Sequence, residues 1–455
     1  MTAKHPVRCC LQWILIISII LTSIGTFPSA LQASDIDQYP FTAEGIVLMD
    51  AKTGEILYSK NAEQTFYPAS ITKIMTAILA LESGQLDELV VTSERARHAI
   101  GNRIYLAEGE EKPLLDLVYG LMLNSGNDAA IAIAEHLGGS VEGFAEMMNA
   151  KAKEIGATNT HFVNPHGLHD DDHYTTAQDM AKIAQYALRN PLFRQIVTTK
   201  TMPWFGEEWH SSLVNTNRLL WDYEGTTGVK TGYTSAAGQT FVASAEREGT
   251  ELIVVLLKAS QRNNLWQEAI VLLDYGFEHY ETVKVRSKGE YVTETLYGQE
   301  HVFQLEQDVY MTLPKNGQEE IQWDEHLELT YPTPPFVKNM LAGHLILTRE
   351  DDVQVQAPVR YLYSRELPEA TNVSADAKAS VSTQSLDDEN QLFVAVEELI
   401  DNGTKKSIVS VMARWWYLSL FVILAIYLYR RRRRKRAATG TWAPHSRSNH
   451  WPPAS

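Results

Sequence analysis

Two rhythms of apolar and polar residues alternate along this chain, and their order outlines a fold. Gly45-Ile-Val-Leu-Met-Asp and Glu55-Ile-Leu-Tyr-Ser read as strands joined by a short turn at Lys52-Thr53-Gly54. From about Ser70 to Arg189, apolar positions recur at spacings of three and four, the helical period, with Gly84, Gly109 and Gly139 as breaks. Strand patterning returns at Gly228 to Tyr233, Thr240 to Ala245 and Leu252 to Lys258, the last two flanking a hairpin turn at Glu246-Arg-Glu-Gly-Thr. Sheet, helices and sheet again predict a helical lobe inserted between the early and late strands of one antiparallel sheet. A last helix, from about Leu265 to His279, packs on that sheet and closes a domain over residues 34–282. Residues 283–365 show short alternating runs with turns at Pro314-Lys-Asn-Gly and Tyr331-Pro-Thr-Pro-Pro, which predicts a separate small all-β domain. A chain of 455 residues exceeds the size at which one hydrophobic core usually stops growing, in keeping with two folded domains plus accessory segments.

The ends are of a different kind. Lys4 and Arg8 precede a largely apolar run from Leu11 to Ile24, and small residues follow around Ala30 to Ala33, the layout of a secretory signal over residues 1–33. An uncleaved anchor is the alternative, although such a run is short for a span. Both cysteines, Cys9 and Cys10, lie ahead of the run, so the mature chain is expected to contain none. Disulfides, a thiol nucleophile and thiolate metal sites drop out together. Residues 366–407 are rich in Ser, Ala, Thr, Asp and Glu and read as a flexible stalk, with apolar periodicity returning between Gln391 and Ile400. In residues 408–429 the only charge is Arg414, and Trp415, Trp416, Tyr417, Tyr427 and Tyr429 supply interfacial aromatics, so a C-terminal transmembrane helix is expected. Arg430 to Arg436 are all basic and open a tail over residues 430–455. By the positive-inside rule that tail is cytoplasmic, and everything before the span lies outside the cell membrane. All 56 acidic residues but only 27 of the 40 basic ones fall between residues 34 and 404, a formal charge of −29 that speaks against nucleic acid as a partner.

Three short motifs carry candidate chemistry. Ser70-Ile71-Thr72-Lys73 opens an apolar helix pattern. A serine at a helix start gains from the positive end of the dipole, and a lysine three positions on shares its face. The two can act as nucleophile and base once burial weakens the lysine's hold on its proton. Taken alone, the motif is more simply an N-capping serine beside a surface lysine. Ser125-Gly126-Asn127 lies at the junction of two helical patterns. Its hydroxyl and carboxamide could relay a proton and hold a substrate amide, or form an ordinary polar turn. Lys230-Thr231-Gly232 sits within a strand pattern, where a cation, a hydroxyl and a glycine that admits close backbone approach suit an extended peptide ending in a carboxylate. The same tripeptide at Lys52-Thr53-Gly54 falls in a turn and is assigned no chemistry.

Order and context bind these weak signals together. Ser-x-x-Lys at a helix start, Ser-x-Asn in a loop and Lys-Thr-Gly on a late strand form the motif set of penicillin-binding proteins and class A β-lactamases, with Gly126 in place of the loop's middle aspartate. The chain resembles the low-molecular-weight D-alanyl-D-alanine carboxypeptidases over about residues 40 to 365. The stretches that carry the resemblance are Tyr67-Pro-Ala-Ser-Ile-Thr-Lys, Leu123-Asn-Ser-Gly-Asn-Asp-Ala, Phe162-Val-Asn-Pro-His-Gly-Leu, Thr175-Thr-Ala-Gln-Asp-Met and Gly228-Val-Lys-Thr-Gly-Tyr-Thr-Ser-Ala-Ala-Gly. It implies an α/β (α+β) serine β-lactamase/transpeptidase-like domain, no cofactor, a peptidoglycan stem peptide as substrate and β-lactam antibiotics as covalent inhibitors. It also implies Ser70 as the acylated nucleophile, Lys73 as its base and Ser125 as the group that passes the proton to the departing D-alanine. Asn127 and Lys230 would order the hydrogen-bond network, Thr231 beside Gly232 would bind the terminal carboxylate, and Arg262 would steer it. The backbone N–H groups of Ser70 and Tyr233 would form an oxyanion hole.

His166 and His169, with Asp170 to His173, could suggest a metal, but the resemblance places Asn-Pro-His-Gly-Leu in a structural loop and no metal is expected. No Glu-x-x-x-Asn occurs between residues 155 and 175, where a β-lactamase would carry its deacylating glutamate. A β-lactamase and a non-catalytic sensor of β-lactams or the cell wall are the rival readings. The expected membrane span departs from better-known members of the family, which end in an amphipathic helix lying on the membrane.

Overall fold

The computed structural model describes residues 36–366, apart from 316–321, 332 and 334. The signal, the stalk beyond residue 366, the span at 408–429 and the basic tail lie outside the described residues. So do Asn316 and Gly317 of one predicted turn and Pro332 and Pro334 of another. Among the described residues no helix is long and apolar enough to cross a membrane.

Five antiparallel strands form the central sheet, in the order Ile56–Lys60, Gly45–Asp50, Thr250–Ala259, Gly238–Arg247 and Thr226–Thr234. The early and late strands meet where Gly45–Asp50 pairs with Thr250–Ala259. The helical lobe is therefore an insertion, as the pattern predicts. Both faces of the sheet are covered, which explains why its middle strands read as continuous apolar runs. Ile253, Val255 and Leu257 join Val47 and Met49 under the lobe, while Leu252, Val254 and Leu256 join Ile46 and Leu48 beneath the helix Arg262–His279. At roughly 25 cal/mol per Å² of apolar surface removed from water, this double burial is the main force holding the layers together.

Within the lobe the helix Lys73–Glu82 is buried on nearly every side, because Ile74 to Leu81 carries no polar face beyond Thr76. The helices Leu114–Leu123, Asn127–Gly138, Val141–Ile155 and Ala177–Leu188 pack around it. Gly139 ends one of these at φ +71, and Ser140 caps the next by accepting the Gly143 N–H at 2.9 Å.

Past the last helix, Tyr280–Arg286 pairs with Val309–Pro314. A second five-stranded sheet runs in the order Tyr291–Leu296, Gln299–Leu305, Gln354–Glu366, Leu341–Arg349 and Trp323–Leu329. Its separate core gathers Phe303, Leu305, Leu345, Leu347 and Val359. The turn Lys52-Thr53-Gly54 and the residue after it meet this all-β part. Thr53 Oγ1 lies 2.7 Å from Thr312 Oγ1, and Arg349 reaches Glu55 at 2.6 Å.

Candidate active site

Ser70 sits in a 3-10 turn, Ala69–Thr72, one step ahead of the helix Lys73–Glu82 rather than in that helix's first turn. The turn is gripped from three sides. Thr240 Oγ1, from the sheet, donates to Pro68 O at 2.8 Å; Thr72 Oγ1 lies 2.8 Å from His173 Nε2; and Gly167 passes so close that a Cβ there would fall 1.8 Å from Ala69 O. Ala69 takes φ +50, a strained conformation that persists only because its surroundings over-determine it.

Lys73 is fully buried, and its Nζ has three neighbours: Ser70 Oγ at 3.0 Å, Asn127 Oδ1 at 2.7 Å and His166 O at 2.8 Å. A neutral amine can donate one hydrogen to each of the two carbonyl oxygens, which leaves its lone pair for the serine hydroxyl. Burial, and after it the charge of Lys230, hold Lys73 well below the ordinary lysine range, with Asp128 opposing only in part. Geometry and protonation thus agree that Lys73 can take the Ser70 proton.

Lys230, on the edge strand Thr226–Thr234, is also buried, and desolvation brings its pKa down to about 7; its Nζ donates to Thr231 O at 3.1 Å. Thr231 Oγ1 lies 2.8 Å from Thr216 Oγ1. Gly232 presses on the nucleophile turn: a Cβ there would sit 2.4 Å from Thr240 Oγ1 and 2.8 Å from Ser70 N. On the lobe side, Ser125 adopts φ +62 and its buried Oγ has no hydrogen-bond partner among the described residues, two costs that fit a group awaiting a substrate. Asn127 bridges the lobe, its Nδ2 donating to Ile100 O at 2.5 Å. Gly126 departs from the usual loop motif for a steric reason. A Cβ there would lie 2.9 Å from Asp128 Oδ1, and that carboxylate accepts the Ile104 and Leu106 N–H groups.

These residues surround one cavity of about 310 Å³, whose wall includes Ser70, Ser125, Asn127, Thr231, Gly232 and Tyr233. Arg262, at the first turn of the last helix, lines it too, and Lys73 and Lys230 bond to its wall from beneath. No Asp or Glu lines the cavity among the described residues, so its electrostatics favour an anionic terminus.

His166 and His173 belong to the scaffold. Burial pushes each down to about 3, and their Nδ1 atoms accept the backbone N–H groups of Leu168 at 3.2 Å and Val163 at 3.1 Å. Each is therefore neutral with its hydrogen on Nε2. His169 lies apart from them, edge-on to the Tyr67 ring and 3.5 Å from Asp171. Among the described residues no three His, Cys, Asp or Glu side chains are grouped to hold a metal ion. Sequence reasoning missed the part that His166 plays through its carbonyl, and the place of Thr216 in the cavity wall. A backbone oxygen has no signature in sequence, and Thr216 belongs to no motif.

A serine hydroxyl 3.0 Å from a buried lysine amine, on a sheet split by a helical insertion, is the arrangement of a serine acyl-transferase of the penicillin-interacting class. The family model described as D-alanyl-D-alanine carboxypeptidase matches residues 32–261, and the chain belongs to that family of serine peptidases. The D-alanyl-D-alanine carboxypeptidase DacF of Bacillus subtilis strain 168 is 34% identical over 364 residues, 76% of this chain and 92% of the relative. DacA of Escherichia coli K12, another D-alanyl-D-alanine carboxypeptidase, is 31% identical over 344 residues, 72% of this chain and 84% of the relative. Among solved structures, penicillin binding protein 5 from Haemophilus influenzae superposes with a TM-score of 0.63 at 30% identity, covering 72% of this chain and 98% of that one.

Proposed function

We propose that the enzyme removes the terminal D-alanine from peptidoglycan stem pentapeptides through an acyl-enzyme on Ser70. The observation that carries this reading is the buried Lys73 amine, 3.0 Å from Ser70 Oγ with its two other neighbours both carbonyl oxygens. Ser70 Oγ attacks the penultimate carbonyl as Lys73 takes its proton, and the N–H groups of Ser70 and Tyr233 stabilise the oxyanion. Ser125 passes a proton to the nitrogen of the departing D-alanine and regains one from Lys73, which returns to the neutral amine. Thr231 and Arg262 hold the terminal carboxylate, while Asn127 and Lys230 fix the network between them. Water then attacks the acyl carbonyl, giving a proton to the neutral Lys73 amine, which passes it to Ser70 Oγ as the ester bond breaks and the tetrapeptide leaves. β-Lactams acylate the same serine, and among the described residues the cavity wall holds no carboxylate to activate water in the manner of a class A β-lactamase.

Anchoring completes the reading. The apolar residues 408–429 followed by Arg430 to Arg436 support a single membrane span, with the enzyme outside the cell membrane, residues 430–455 in the cytoplasm, and export directed by residues 1–33. To test the activity, detergent-solubilised full chain and its Ser70→Ala variant are incubated with a stem pentapeptide ending in D-Ala-D-Ala and followed by mass spectrometry. Loss of one alanine with the parent chain alone is expected. No loss, with penicillin still forming a stable adduct at Ser70, would refute the carboxypeptidase and leave a sensor.

A further inference from the structure

The strand His210–Val214 leads through Asn215 to Thr216 in the active-site wall, and it pairs with Thr201–Phe205 in a hairpin that takes no part in the acyl transfer above. One face of that hairpin is a mount. Trp204 and Leu213 are buried in the core of the helical lobe, and Lys112, 3.3 Å from Glu110, donates to Phe205 O at 2.6 Å. Glu110 in turn accepts the Ala107 and Glu207 N–H groups at 2.8 and 3.1 Å, while Asn215 Nδ2 ties the root to Val197 O and Thr199 O. The other face meets solvent. Thr201, Pro203 and Phe205 stand opposite Val214, Ser212 and His210, and all six are exposed. Phe205 is 70% exposed, its ring edge-on to His210. Trp221, half-exposed on the short helix Leu219–Asp222, extends the strip at its root, where the Lys200 ammonium lies 5.9 Å from its ring centre.

Holding a phenylalanine and a tryptophan in water on so firm a mount does nothing for the core, and an apolar strip rimmed by hydroxyls marks a surface that meets a partner. Three observations choose that partner. The six hairpin residues include no carboxylate, lysine or arginine, although residues 34–404 carry a formal charge of −29; the strip suits an uncharged chain, and the field around it repels polyanions and a second copy. Pro203 interrupts the backbone donors along its strand, so the hairpin is poorly made for pairing with a partner's strand and contact falls to the side-chain face. The strip is also continuous with the substrate cavity: at about 3.3 Å per residue it runs roughly 20 Å from Thr216 out to His210. Aromatic faces, hydroxyls and an imidazole are groups that take up sugar rings, whose C–H faces stack on aromatics and whose hydroxyl and acetamido groups form hydrogen bonds.

We propose that this hairpin face, with Trp221, is a platform for an uncharged polysaccharide, the amino-sugar backbone that carries the stem peptides, and that it directs the enzyme to pentapeptides in assembled wall. Thr216 touches Thr231, where the terminal carboxylate rests, whereas the rest of the stem peptide leaves by the opposite end of the strand. The glycan strand on the platform is therefore a neighbour of the one being trimmed. This placement rests on the acyl-transfer reading above.

The test immobilises glycan strands from which an amidase has removed the stem peptides and measures binding of the detergent-solubilised full chain by biolayer interferometry. The parent chain is expected to bind, and Phe205→Ala and Trp221→Ala each to weaken binding by roughly twofold to tenfold. Alanine release from sacculi rich in pentapeptides should slow by a similar factor, through KM, because the second contact is lost. Release from a free stem pentapeptide should stay within about twofold of the parent, which also reports that the variants are folded. No binding by the parent chain, or equal binding by the parent and both variants, overturns the platform. So does a change in the mass of the free protein in light scattering on either substitution, which would make this face a contact between copies. Alanine lost from the free pentapeptide with no glycan binding would remove the platform and keep the carboxypeptidase; glycan binding that the substitutions weaken, without alanine loss by the parent, would do the reverse.

Discussion

Alanine at position 232 would test whether the nucleophile turn depends on the space beneath it. Gly232 does not have a positive φ; what it lacks is room for a Cβ. A methyl group there would meet Thr240 Oγ1 at 2.4 Å, Ser70 N at 2.8 Å and Ile71 N at 3.1 Å, against ordinary contacts that begin at 3.4 Å. Thr240 must then retreat by about 1 Å and Ser70 by about 0.6 Å. The retreat of Thr240 breaks its hydrogen bond to Pro68 O, a loss of about 1 kcal/mol. Overpacking of this kind adds about 1–3 kcal/mol. Together, about 2–4 kcal/mol, they predict a Tm lowered by roughly 4–8 °C, at about 2 °C per kcal/mol for a domain of about 250 residues. Catalysis suffers more, because misplacing a reacting group by about 1 Å costs about a hundredfold and losing one oxyanion donor about 10²–10³-fold. The expected result is an acylation rate constant for a fluorescent penicillin that falls roughly tenfold to a hundredfold in stopped flow, well below the lowered Tm. Acylation within about twofold of the parent enzyme, with Tm unchanged, would refute the reasoning, since room for the methyl would then exist without moving Ser70.

Lys230 titrates at about 7 in the folded enzyme against 10.5 as an ordinary lysine, so between those values the unfolded chain binds more protons and stability should rise with pH. Lys230→Met should reduce that rise, leaving the part contributed by the similarly lowered Lys73, in denaturation experiments between pH 7 and 10 and raise Tm at pH 7, while acylation by penicillin falls by about 10²-fold; an unaltered slope would contradict the burial argument. His173, and His166 with it, titrate at about 3 against an ordinary 6.5, so their contribution is intact above pH 6.5 and is lost as pH falls toward 3. His173→Gln should flatten that acid limb in urea unfolding and cost about 1–3 kcal/mol at pH 7, because the Val163 N–H and the Thr72 hydroxyl lose the imidazole; a variant as acid-labile as its parent would point to other groups.

The order of strands and helices was legible because the apolar pattern reports which faces are buried, and here it changes from short apolar runs to a helical period and back along the chain. The Ser-x-x-Lys spacing also placed Lys73 correctly beside Ser70, since positions three apart share a helical face. What the sequence concealed depends on contacts between segments far apart. The 3-10 turn at Ala69–Thr72 and the φ +50 of Ala69 are imposed by Gly167, Thr240 and His173. No local propensity favours that conformation, so no local pattern announces it. The same holds for Gly126, where the carboxylate of Asp128 already fills the space that a middle aspartate would need.

The two Lys-Thr-Gly tripeptides show where the letters stop and the fold takes over. At residues 52–54 the lysine stays exposed with its ammonium 4.4 Å from the centre of the Tyr310 ring, the threonine bonds Thr312, and the glycine supplies a turn at φ +79. At residues 230–232 the register with Gly238–Arg247 sets Lys230 opposite Val242 and Gly232 opposite Thr240, which drives the lysine out of water and the glycine against the Ser70 backbone. Desolvation then gives Lys230 its lowered pKa, and through its charge it helps keep Lys73 uncharged. A lysine, a threonine and a glycine become a reactive site only when strand pairing removes solvent from the first and all spare room from the last.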